Sequence, residues 1–171
     1  ERVAAVRELG DIVDVWLTDF KYADAALGRR LSNVPDYPSR ARRALAQMAA
    51  EVDRRGGVAF DDDGMMRRGI IVRHLVLPGH ADDSCRVLDV IWETAGDVPV
   101  SVMNQYTPNE RCRRAGGELA RAVTDEEYEI VLCHADDLGF ERIWWQEGGT
   151  VSESFVPAFD ATGVEGPELA S

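Results

Sequence analysis

Cysteine is scarce. The 171-residue chain has three, Cys85, Cys112 and Cys133, and no two of them form a C-x₂-C pair. Zinc-ribbon and thioredoxin-type signatures are therefore absent. Each cysteine reads first as a small, mostly buried hydrophobe, with reduced cytosolic thiols as the default. Cations are also in deficit: 19 Lys and Arg face 31 Asp and Glu, a formal charge of −12. Phosphate backbones are bound through a local surplus of Lys and Arg, so a nucleic-acid partner is not expected. No apolar run approaches the roughly 18 residues of a membrane helix, and no basic-then-apolar leader opens the chain. The expected setting is cytoplasmic, with no membrane. Several chemical signatures are missing too. Ala23 to Leu27 holds no G-x-G-x-x-G phosphate loop, and no G-x-S-x-G elbow occurs. Asp61-Asp62-Asp63-Gly64 lacks the remaining positions of a calcium loop and reads as a solvated turn.

What is present is ordinary globular composition, 45% hydrophobic and 29% charged, which excludes global disorder. The sequence opens on Glu1-Arg2 rather than Met. Arg2 to Gly10 reads as the end of a helix with Gly10 at its C-cap, so the expectation is a piece of something longer. Ile12 to Phe20 is an apolar, β-branched run, expected to be a buried strand. Pro38 to Val52 carries Ala41, Ala44, Leu45, Met48 and Val52 at amphipathic-helix spacing. Ile70 to Leu77 is a second predicted strand, closed by Pro78-Gly79. Ser84 is the predicted cap of a helix bearing Val87, Leu88, Ile91 and Ala95. Val98 to Gln105 is the third predicted strand. Thr124 and Glu127 form a capping box before Tyr128, Val131, Leu132, Ala135 and Leu138, with Gly139 as C-cap. Arg142 to Gln146 is a short fourth strand.

The predicted fold class is α/β: repeated βα units with parallel strands and right-handed crossovers. Near-continuous apolar strands predict burial on both sheet faces. A closed eight-fold barrel takes about 250 residues, so the alternatives are an open sheet or a piece of a barrel. Residues 1–146 are expected to form that unit, and 147–171 an irregular tail.

Polar residues at strand ends are the functional candidates, because parallel α/β sheets bind ligands there. On the first strand a period of two puts Asp19 and Lys21 on one face. They can neutralise each other or together bind a zwitterion. Arg73 sits mid-strand, where a buried guanidinium needs a partner. Asp19 is one candidate, and a ligand carboxylate the other. His74 points the opposite way and reads first as a satisfied core histidine. On the third strand Ser101, Met103 and Gln105 share a face. In a barrel interior they would join Asp19, Lys21 and Arg73 around one pocket.

Three blocks carry a resemblance. They are Val13-Asp14-Val15-Trp16-Leu17-Thr18-Asp19-Phe20-Lys21-Tyr22, Arg68 to Gly79 (R-G-I-I-V-R-H-L-V-L-P-G), and Met103-Asn104-Gln105-Tyr106-Thr107-Pro108. Glu126-Glu127-Tyr128 and Pro157 to Val164 add to it. Over most of residues 10–165 the chain resembles the later part of radical SAM proteins related to pyruvate formate-lyase activating enzyme. The resemblance implies about half of a partial (β/α)₆ TIM-like barrel. It implies a parent enzyme that binds a [4Fe–4S] cluster through C-x₃-C-x₂-C and uses S-adenosylmethionine. It places Asp19, Lys21 and the mid-strand Arg73 around the S-adenosylmethionine site. Met103 and Gln105 join that set by sharing their strand face. The implied partners are the missing N-terminal half of the barrel, and a glycyl-radical-type protein or a small-molecule substrate. The departure is plain. C-x₃-C-x₂-C is absent, and an iron–sulfur cluster needs thiolates close together. By itself the chain is then expected to be inactive. The alternative is a degenerate, cluster-free half-barrel acting as a binding or oligomerisation module.

Overall fold

The computed structural model describes residues 3–145. The first helix, α1 (Val3–Leu9), runs through a turn into strand β1 (Val15–Asp19). Helices α2 (Ala25–Ser32) and α3 (Tyr37–Arg54) follow. A hairpin then joins β2 (Ala59–Phe60) to β3 (Met66–Leu75). Beyond it lie α4 (Ala81–Ala95), β4 (Val100–Met103), α5 (Glu110–Ala115), a 3₁₀ turn (Glu118–Ala120), α6 (Asp125–Leu138) and β5 (Ile143–Trp144).

The principal strands lie in the order β1-β3-β4-β5, all parallel, with β2 antiparallel to the start of β3. Strand order therefore follows chain order, and every parallel crossover steps in the same direction. Right-handed crossovers that never reverse leave their helices on one face. A doubly wound sheet instead reverses at a switch point and carries helices on both faces. The described residues thus form one wall of a barrel-like α/β fold.

Alternation decides which side chains meet the helices. Trp16, Ile70, Val72, Val76, Val100 and Val102 are buried, and so are Leu45, Met48 and Val52 of α3, Val87, Leu88 and Ile91 of α4, and Val131 and Ala135 of α6. Burying each large aliphatic side chain contributes about 1.5–3 kcal/mol, so this layer dominates the stability. Trp92 meets Phe140 edge-on at 4.9 Å beneath it. The opposite face carries Leu17, 57% exposed, with Asp19, Arg73 and Leu75 beside it.

That asymmetry corrects the expectation of burial on both faces. The strands read as continuous apolar runs because the second face is itself half apolar, yet no described helix covers it. Other differences concern boundaries. The first strand is Val15–Asp19 rather than 12–20, because Gly10 to Val13 fold back on Leu9, with Ile12 and Val13 both donating to its carbonyl. Helix α4 starts at Ala81 with His80 as its N-cap, so Ser84 lies inside it, its hydroxyl turned back to the His80 carbonyl at 3.4 Å. Helix α2 has no counterpart among the predicted elements, although Asp24 caps its N-terminus and Asn33 ends it at φ +54°. The acidic run is the tip of the β2–β3 hairpin. Asp61 Oδ1 accepts from the Asp63 and Met65 amides, and Gly64 takes φ +77°. The predicted tail, 147–171, lies outside the described residues.

Candidate functional site

The strand pattern sets up the site. Asp19 closes β1 on the helix-free face, and Lys21 follows two residues on. β1 and β3 pair with Asp19 opposite Arg73, and β3 and β4 pair with Arg73 opposite Ser101 and Leu75 opposite Met103. The Arg73 Nε and Nη2 both donate to Asp19 Oδ1, at 2.8 and 2.7 Å.

Arg73 is therefore paired, as expected, but it is not buried. Its side chain is 43% exposed and that of Asp19 38%. Water therefore reaches the pair. An ion pair this open contributes at most about 1 kcal/mol to folding.

A cavity of about 410 Å³ sits at the carboxyl ends of the strands, lined by Asp19, Lys21, Tyr22, Arg73, Leu75, Leu77, Met103, Gln105 and Tyr106. All five residues singled out in the sequence, Asp19, Lys21, Arg73, Met103 and Gln105, face this one space. Gln105 Nε2 reaches the Met103 sulfur at 3.5 Å. The Tyr106 hydroxyl donates to the Leu119 carbonyl at 2.9 Å. Burial, helped by the neighbouring Cys112, pushes its pKa up to about 12, so it stays a neutral donor. Among the described residues the Lys21 ammonium has no ion-pair partner. With Asp19 taken by Arg73, the described lining of the cavity carries one positive charge without a paired carboxylate.

Four lining residues escaped the sequence reading: Tyr22, Leu75, Leu77 and Tyr106. Leu75 and Leu77 were legible in principle, since they continue the period of two from Arg73. A second cavity of about 480 Å³ opens at the free edge of β1 and shares Asp19, Lys21 and Arg73 with the first; Tyr37, Arg40 and Leu45 are among its other walls.

His74 has the core role. It is 2% exposed, and its Nδ1 lies 2.7 Å from the Phe20 carbonyl. A carbonyl only accepts, so Nδ1 carries the proton, and Nε2 is left as a buried acceptor without a partner among the described residues. Burial holds its pKa below the usual imidazole value.

The cysteines do not assemble. Cys85 is on α4, Cys112 on α5 and Cys133 on α6. Burial pushes the Cys85 thiol up, away from the thiolate a metal requires. No group of three or more His, Cys, Asp or Glu side chains suited to a metal occurs among the described residues. The three thiols therefore do not fit an iron–sulfur cluster. No described helix is long and apolar enough to cross a membrane.

No family model matches the chain. It is 29% identical over 143 residues to uncharacterized protein MJ0674 of Methanocaldococcus jannaschii, a match covering 83% of this chain and 37% of that protein. The chain spans well under half the length of this relative.

Proposed function

We propose that this chain forms the later part of a radical SAM barrel similar to the pyruvate formate-lyase activating enzymes, and contributes one side of an S-adenosylmethionine pocket. The observation that supports this reading is the gathering of Asp19, Lys21, Arg73, Met103 and Gln105 around one cavity on the helix-free face. The donor set suits that ligand. Lys21 and Arg73 offer cations to the methionyl carboxylate, Arg73 through its planar fork. Asp19 orients Arg73 and balances its charge while keeping acceptor capacity for an amino or ribose group. Gln105 presents both a donor and an acceptor to a ribose or base edge. Leu75, Leu77 and Met103 supply an apolar wall.

When bound and reduced by one electron in enzymes of this kind, S-adenosylmethionine supplies a 5′-deoxyadenosyl radical that abstracts hydrogen, in activases from a protein glycine. The cluster that delivers the electron finds no ligands here, so this chain's part is binding and orientation.

Calorimetric titration with S-adenosylmethionine tests the reading. Binding that Lys21→Ala and Arg73→Ala each weaken at least about tenfold is expected, since charge-assisted hydrogen bonds are worth roughly 1.5–3 kcal/mol. No binding, or binding indifferent to both substitutions, refutes it. Expression in frame with the upstream coding sequence tests the enzyme assignment. If that product shows no iron–sulfur absorption band after reconstitution, the assignment fails.

The uncovered face favours a second reading, a cluster-free half-barrel that binds a partner or a second copy. Leu17 and Trp144 on β1 and β5 are 57% and 50% exposed, and a strand edge that no described strand pairs, as along most of β1, is a template for pairing. A strictly monomeric elution on size-exclusion chromatography counts against it.

A further inference from the structure

Tyr37 stands in the first turn of α3, and its ring reaches back to the free edge of β1. Its hydroxyl donates to the Asp19 carbonyl at 3.1 Å and accepts from the Lys21 amide at 2.9 Å. The ring is held edge-on against Phe20 at 6.3 Å and Tyr22 at 5.5 Å.

The backbone alternation gives this contact its meaning. The Phe20 amide donates to the Arg73 carbonyl, and the Asp14 carbonyl accepts from Gly69. Even-numbered peptide groups of β1 thus face β3, and odd-numbered ones face the edge that no described strand pairs. On that edge, the carbonyl of residue 19 and the amide of residue 21 are the two groups that one residue of a further parallel strand would engage. The Tyr37 oxygen satisfies both. It acts as a one-atom substitute for a neighbouring strand just where β1 ends and the cavity begins.

We propose that Tyr37 is a positioning residue for the cavity. It holds the backbone on both sides of Phe20, so the side chains of Asp19 and Lys21 keep the strand's alternation beyond the last paired residue and turn into the cavity. Lys21 depends on this most, because its ammonium has no ion pair among the described residues to orient it. This inference rests on the S-adenosylmethionine reading for its ligand, but not for its backbone claim.

The test is a double-mutant cycle. Tyr37→Phe is expected to weaken S-adenosylmethionine binding about fivefold in the otherwise unaltered chain, the loss of one net hydrogen bond. In a Lys21→Met background the same change is expected to alter affinity less than about twofold, because its effect passes through Lys21. Equal losses in both backgrounds overturn the proposal, since a general structural role would produce them, and so does no loss in either. A second measurement needs no ligand. Amide exchange at Lys21 is expected to quicken at least about tenfold in Tyr37→Phe, while the β3 amides of Val72 and His74 stay protected. Unchanged exchange at Lys21 overturns the proposal. If the unaltered chain does not bind S-adenosylmethionine, the functional reading falls, and exchange alone then decides for or against the role of Tyr37.

Discussion

Glu127 is the side chain whose removal has the most calculable consequence. It sits at the third position of α6, largely covered, and binds in three directions. Its two oxygens take the Arg121 guanidinium bidentately, at 2.7 Å each. One accepts from the Thr124 amide at 2.9 Å, closing the capping box. The other accepts from the Gly79 amide at 2.7 Å. That last bond ties the Pro78-Gly79 corner after β3 to the start of α6. Gly79 holds φ +78° there, and a Cβ on it would come within 2.8 Å of Glu118 Cγ. Arg121 and these amides hold the Glu127 carboxyl down at about 2. For Glu127→Ala, loss of the cap costs about 0.5–2 kcal/mol, and an orphaned Gly79 amide adds about 1 kcal/mol. The sum is about 1.5–3 kcal/mol. At roughly 2–4 °C per kcal/mol for a unit of this size, the melting point should fall by about 3–12 °C. The sign with pH follows from linkage. A carboxyl with a depressed folded pKa stabilises above its unfolded value and loses that contribution as pH falls through the folded one. Thermal melts followed by circular dichroism at pH 7 and pH 2.5 should therefore show a smaller gap between wild type and Glu127→Gln in acid. A gap under about 0.5 kcal/mol at pH 7, or one that does not shrink in acid, would refute the reasoning.

Three further expectations follow from other parts of the wall. His74 is buried neutral, so the folded state resists protonation while the unfolded chain accepts it. Stability should decline as pH drops below about 6.5, and denaturant midpoints of His74→Leu should lose that part of the slope. Leu88→Ala, on the fully buried side, should cost about 2–5 kcal/mol. Leu17→Lys, on the open side, should stay within about 0.5 kcal/mol, and chemical denaturation compares the two directly. Arg73→Ala should change stability by less than about 1 kcal/mol, because its pair is open to water, while weakening the proposed S-adenosylmethionine binding at least about tenfold; a large stability loss instead would mark Arg73 as a structural residue.

The parallel βα order was legible because it rests on local signals. Thr124 with Glu127, Gly139, and the apolar spacing of α3 each announce an element without tertiary help. The shared face of Asp19 and Lys21 was legible too, because a period of two is a property of the strand alone; that Arg73 joins them depends on the register of β1 against β3. What escaped depends on context. Whether the second sheet face is covered is decided by neighbouring segments, and Leu17 looks the same in sequence either way. Helix α2 spans only Ala25–Ser32 and includes Gly28, so its propensity is weak. Tyr37 acts from a different element, and nothing in its local sequence announces that its hydroxyl would close the end of β1.

The winding that never reverses has a consequence for how such a chain can grow. Each βα unit of the wall leans mainly on its neighbours in sequence, and among the described residues no strand pairs with the outer edge of β1 or of β5. A further unit laid beside either flank would extend the sheet without rewiring any crossover, though beside β1 it would take over the groups of residues 19 and 21 that the Tyr37 hydroxyl now holds. In a sheet with a switch point, growth at the centre breaks the pattern; here, addition at the rim only continues it. The connectivity of the described residues thus sets no limit on how many units such a wall can hold.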